Sequence, residues 1–241
     1  MKTPIKPLAK RTRDTIMACY SQFGIEQADK QIRKIIQQAE HDKISFDAKS
    51  EIKGELAEVA LEVYLLEIQK YLRNSMLSKG LCIRDTLSGR TTEMDVTFFT
   101  PCKIYMFECK SYAGKKILTK ECTLQGAHTT DVFSQSQHHM EVLNQYLSTF
   151  RINRNVKGCA PYKLVLFELS TTDCEDRRED RWKRIVPFIT LDTLWEFLCE
   201  EFTAPQKINW DFARMLPIVS QLDRESPELF REHMKRMRGA K

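Results

Sequence analysis

The sequence has no CxxC pair, no secretory leader pattern, no long apolar run, no internal repeat and no low-complexity stretch. Each absence excludes something. Without an apolar h-region near the N-terminus, a secreted protein is not expected. No window approaches the roughly 18 consecutive apolar residues of a membrane span, so no membrane association is expected. The eight cysteines (Cys19, Cys82, Cys102, Cys109, Cys122, Cys159, Cys174 and Cys199) are scattered, which leaves a structural zinc site, or a zinc-binding regulator, as a weak alternative only. Reduced thiols in a cytoplasmic setting fit that usage.

What is present bounds the rest. At 241 residues, with 42% hydrophobic and 29% charged residues, the chain can bury a sizeable core. One domain with appendages is expected rather than two equal domains. The net charge of +5 permits a polyanionic partner without demanding one. Basic residues gather at both ends: Lys2, Lys6, Lys10, Arg11 and Arg13, then Arg231, Lys235, Arg236, Arg238 and Lys241. Either end could meet phosphates or simply face water.

Taken in order, the pattern predicts a helix from about Arg13. A second follows over Ile25–Glu40, with Ile25, Ala28, Ile32, Ile35, Ile36 and Ala39 on one stripe. After the polar break His41–Ser50, with Ser50 as the expected cap, a long helix runs from Glu51 to about Arg73. A short strand is expected at Leu81–Asp85, and two apolar strands around the turn Thr100–Lys103. Residues 111–130 read as a long connection. Asp131 caps the next helix, Lys163–Leu169 is a strand, and 173–183 a solvated loop. Arg184–Thr190 reads as a strand, Asp192 caps a helix through Glu201, and two helices, Trp210–Gln221 and Pro227–Arg238, close the chain. This alternation argues for a mixed α/β sheet with helices on its faces.

The chemistry concentrates between Thr92 and Gly114. Glu108 and Lys110, two apart at the end of an apolar strand, emerge on one face. The Cys109 carbonyl lies between them. If Met94–Phe99 pairs with Ile104–Cys109, Asp95 arrives at the same edge from the neighbouring strand. Two carboxylates, a carbonyl and an ammonium make a hard, oxygen-rich site suited to Mg²⁺. An acid and a lysine ending a buried strand are costly unless they are paired or used. Glu-x-Lys alone is a poor signal, since Glu51-Ile52-Lys53 repeats it in a helix start; the strand context is what raises it. On the preceding helix Glu55 and Glu58 stand three apart and can look to one side. On the helix after Asp131, Val132, Gln135 and His139 share a face, and a glutamine there needs a polar partner.

With these residues the chain resembles the PD-(D/E)xK nuclease superfamily, and within it the nuclease-related domain group. Gly54-Glu55 matches a Gly-Glu opening a helix, Asp95 the second-strand acid, and Glu108, Lys110 and Gly114 the Glu-x-Lys strand end with its glycine loop. Gln135 and His139 match a downstream glutamine with a histidine one turn later. The Asn-Pro usual before that glutamine reads Asp131-Val132 here, and Gln137 competes for its role, as Glu58 does for that of Glu55.

The resemblance covers 50–202 and implies a restriction-endonuclease-like mixed central sheet flanked by helices. Residues 1–49 form an N-terminal extension and 203–241 a helical basic one. It implies a metal-dependent nuclease, most simply an endonuclease or nickase acting on DNA. Asp95, Glu108, Lys110 and Gln135 would be catalytic. Glu55, Asp95, Glu108 and the Cys109 carbonyl would hold Mg²⁺, with Mn²⁺ as substitute. Lys115, Lys116 and Lys120 would hold the substrate backbone. A homodimer or a protein partner stays open, as does a catalytically silent nucleic-acid- or protein-binding module on the same scaffold, although all three central residues are retained.

Overall fold

A computed structural model describes residues 5–42, 44–72, 74–85, 87–126, 129–150, 162–169, 174–203 and 212–239. Three helices come first: α1 (Ile5–Phe23), α2 (Ile25–His41) and α3 (Phe46–Gln69). In α2 the residues Ala28, Ile32 and Ala39 are buried, as expected for one helical stripe. The third helix starts a turn earlier than the sequence suggests, capped by Ser45, which accepts the Ala48 N–H. Ala48 and Ile52 extend its apolar stripe upstream, which accounts for the shift. Ser50 is therefore inside the helix, where it accepts the Ala113 N–H at 3.1 Å and ties α3 to the segment after the Glu-x-Lys strand.

The strands β1 (Met76–Arg84), β2 (Thr91–Phe99) and β3 (Ile104–Cys109) form an antiparallel meander. The expected long connection folds instead as β4 (Lys116–Leu118), β5 (Thr123–Gln125) and β6 (Thr129–Asp131). Strands of three residues are too short to show an alternation in sequence. Next come α4 (Val132–Thr149), capped as expected by Asp131 through the Ser134 N–H, and β7 (Tyr162–Glu168). The expected solvated loop contains β8 (Cys174–Asp176) and α5 (Asp180–Ile185). The chain closes with β9 (Phe188–Thr190), α6 (Leu191–Thr203) and α7 (Phe212–Gly239).

The main sheet has the order β1-β2-β3-β7-β9, with β3, β7 and β9 parallel. A smaller sheet has the order β6-β5-β4-β8. The expectation of a mixed sheet flanked by helices is met. Along β3, Tyr105 and Phe107 join the core under α3, on whose far side α1 and α2 pack, while Ile104 and Met106 join the core under α4 and α7. Both sides of the strand are covered, so its sequence has no polar face until Glu108. The two closing helices expected from sequence are one, continuing through Pro217 and Pro227. Phe212, Met215, Val219 and Leu222, on one stripe of α7, bury against the sheet, and this packing outweighs the helix-breaking tendency of proline. Along the outer edge of β1, the Cys82 N–H donates to Ser226 Oγ of α7 at 3.1 Å, covering an exposed edge. No described helix is long and apolar enough to cross a membrane, and the seven described cysteines are free thiols.

Candidate active site

The antiparallel ladder of β2 and β3 has Val96 opposite Phe107 as its last pair on this side. One step further would oppose Asp95 and Glu108, but no such pair forms. Cys109 still needs an acceptor for its N–H, and the Asp95 carboxylate supplies it, Oδ2 lying 2.7 Å away. On the other edge of β2, pairing with β1 passes from Lys79–Val96 to Leu81–Met94. It skips Gly80 opposite Asp95, and Gly80 has a φ of 63°, a backbone shape that glycine adopts readily. Asp95 thus sits at an interruption of both its ladders. The far side of β3 stays closed, because β7 pairs with it throughout and the Lys110 N–H donates to the Phe167 carbonyl at 3.0 Å.

Around this interruption the expected groups gather. Glu108 is buried, and its Oε1 lies 2.6 Å from Lys110 Nζ. Its Oε2 lies 3.4 Å from Nδ1 of His139, a buried residue of α4. Gln135, one turn before His139 on that helix, finds no hydrogen-bond partner among the described residues. Gln137 is committed to Glu141 at 2.9 Å on the outer side.

The charges shape one another. Burial raises the Asp95 carboxyl well above its ordinary range, and the charges of Glu108 and Glu58 raise it further. Burial also works against ionised Glu108, but His139 and Lys110 outweigh it and hold that carboxyl below its ordinary value. Lys110 loses solvation, yet Glu108 beside it raises its pKa, so at neutral pH it carries an ammonium. Glu58 is pushed up to about 7, mainly by burial against the opposing pull of Lys79. Of the two acids on α3, Glu58 is the one whose charge acts on Asp95. Among the described residues no three histidine, cysteine, aspartate or glutamate side chains already stand as a metal cluster.

Residues 53–167 match the family model of the nuclease-related domain. That span, just under half of the chain, is similar to a nuclease-related domain. The matched span includes Asp95, Glu108, Lys110, Gln135 and His139, and ends inside β7. Among solved structures, the small subunit of the heterodimeric restriction endonuclease R.BspD6I aligns over 86% of this chain and 98% of its own. It shares 10% identity with a TM-score of 0.29, a likeness too loose to speak to chemistry. Among curated proteins no match was found.

Of the lysines expected to hold substrate, Lys115 and Lys120 are exposed. Lys116 corrects the expectation. It is fully buried, 2.6 Å from Glu168 Oε2, donates to the Tyr112 carbonyl at 2.7 Å and lies over the Tyr112 ring. Burial alternates along β4, so Lys116 points inward with Leu118, and it is not available to a phosphate.

Glu55 also differs from expectation, since its carboxylate is engaged by Lys79 at 2.8 Å. Sequence reading missed Lys79, which sits in β1 and reaches Glu58 as well, at 3.2 Å. The available signal was Gly80, a glycine inside a strand, which marks a bulge or a close approach of backbone. Next to these acids lies a cavity of about 600 Å³, lined among others by Arg13, Glu58, Lys79, Glu93, Asp223 and Phe230.

Proposed function

We propose that this chain is a metal-dependent nuclease that hydrolyses phosphodiester bonds in DNA, as an endonuclease or nickase. The observation that carries this reading is the gathering of Asp95, Glu108 and Lys110 at the interrupted end of a buried sheet. The donor chemistry fits a hard divalent cation. Asp95 is strained as an anion by burial and by two neighbouring acids, and a cation there would relieve all three. Asp95, Glu108 and the Cys109 carbonyl would hold Mg²⁺, or Mn²⁺ in its place. When bound, such an ion offsets charge on the phosphate and leaving oxygen and lowers the pKa of water.

The chain's own residues do the rest. Lys110, held as an ammonium, supplies positive charge to the reacting phosphate and a proton at Nζ, and does not begin as a base. His139 orients Glu108 from the other side. Gln135 offers its amide to a water or a phosphate oxygen. Lys115 and Lys120 hold the substrate backbone, giving affinity without sequence information.

The test is a cleavage assay on supercoiled plasmid, linear duplex and single-stranded DNA, and RNA, with Mg²⁺, Mn²⁺ or EDTA. Asp95→Asn, Glu108→Gln and Lys110→Ala are each expected to lower the rate by at least about 100-fold with the fold intact. Full activity in Lys110→Ala would end this model. A second reading, a silent nucleic-acid-binding module, is favoured by one observation: both Glu108 oxygens already face cations or donors. A gel shift with no cleavage in any metal would select it.

A further inference from the structure

Lys79 reaches across from β1 to α3 and places one ammonium between two carboxylates, 2.8 Å from Glu55 and 3.2 Å from Glu58. It stands one residue before the unpaired Gly80–Asp95 position, so this bridge abuts the interrupted ladder. The cavity there is lined by four acids, Glu55, Glu58, Glu93 and Asp223, against Arg13 and Lys79. Arg13 is turned to Glu62, which takes its NH2 group at 2.7 and 2.9 Å through both oxygens. Lys79 is thus the cation seated between the two α3 acids. Two carboxylates held against one ammonium are favoured as anions by its charge, and a divalent ion would supply charge of the same sign.

We propose that Lys79 is a positioning residue whose ammonium occupies, between Glu55 and Glu58, the place a second divalent cation would otherwise take, limiting the domain to one ion at Asp95 and Glu108. This rests on the metal-dependent nuclease reading and goes beyond it. Lys79 keeps the α3 acids ordered and neutralised while leaving them out of the ligand set. The nuclease therefore works with a single exchangeable metal.

The experiment counts Mn²⁺ ions bound to the full chain by calorimetry and by electron paramagnetic resonance, beside thermal melts. The proteins are wild type, Asp95→Asn, Lys79→Met, Lys79→Arg and the double variant Lys79→Met/Asp95→Asn. Removing Lys79 is expected to add one bound Mn²⁺ per chain, and the added ion should survive Asp95→Asn. Lys79→Arg restores a cation and should bind as wild type does. A gain of binding cannot come from mere structural damage, which lowers affinity. Lys79→Gln serves in place of Lys79→Met if the latter does not fold. An unchanged ion count in the folded variant overturns the proposal, as does a wild-type chain that already binds two ions. The failure of the nuclease reading looks different: wild type would bind nothing that Asp95→Asn removes, while the gain on losing Lys79 would still be read.

Discussion

The carboxylate of Asp95 accepts the Cys109 N–H through Oδ2 and so has one oxygen committed to holding β3. Glu108 and Lys110 were legible as a pair because the two-residue period of a strand is rigid and the strand before them is apolar throughout. The partners of that pair were less so. His139 reaches Glu108 from a helix 31 positions on, a distance no local pattern encodes. Lys115, Lys116 and Lys120 look alike as charges in sequence, and only the inward turn of β4 separates the buried one from the others. Lys116→Ala leaves Glu168 buried without its counter-charge. We expect it to cost about 3–5 kcal/mol in urea unfolding. Lys115→Ala, on the surface, should stay within about 0.5 kcal/mol of wild type.

Elements with long periodic stripes were read correctly in kind, with ends displaced by a turn where burial continued past a polar break, as at Ser45 and Ser50. The small sheet escaped because each of its strands is held by pairing rather than by its own pattern. Between elements, α6 is stitched to the main sheet by Glu201, which binds Lys163 of β7, Lys103 at 3.2 Å and the Tyr105 hydroxyl at 3.1 Å. Burial opposes the ionised form of Glu201, but the two lysines outweigh it and hold its pKa below the ordinary 4.5. A carboxyl depressed in the folded state stabilises above its unfolded value and loses that contribution as pH falls through the folded one. Wild type should therefore exceed Glu201→Gln in stability by a constant margin above about pH 5, and the margin should shrink steadily below pH 4.5. Denaturant midpoints across pH 3–7 measure it, and a margin that grows on acidification would refute the assignment.

At the scale of the whole molecule, the family-matched span is not a separable unit. One face of the sheet is covered by α3 and α6, and the core there is completed by Ile16, Ala28 and Ile32 of α1 and α2, which pack on α3, and by Leu194 and Leu198 of α6. The other face needs Met215, Val219 and Leu222 of α7. A fragment of residues 53–167 should therefore fail to give a cooperative thermal melt and should aggregate in gel filtration, whereas the full chain melts cooperatively. A monomeric, cooperatively melting fragment would contradict this account. The divisions 1–49, 50–202 and 203–241 follow the extent of the resemblance, whereas each core joins buried residues from both sides of a division. The cavity beside Glu55 and Glu58 draws its walls from the same two sources: Glu58, Lys79 and Glu93 from within the matched span, Arg13, Asp223 and Phe230 from outside it. The candidate reacting groups and part of the cavity wall thus come from different parts of the chain. On the nuclease proposal, substitutions at Arg13, Asp223 or Phe230 would change what fits in that cavity while leaving Asp95, Glu108 and Lys110 in place.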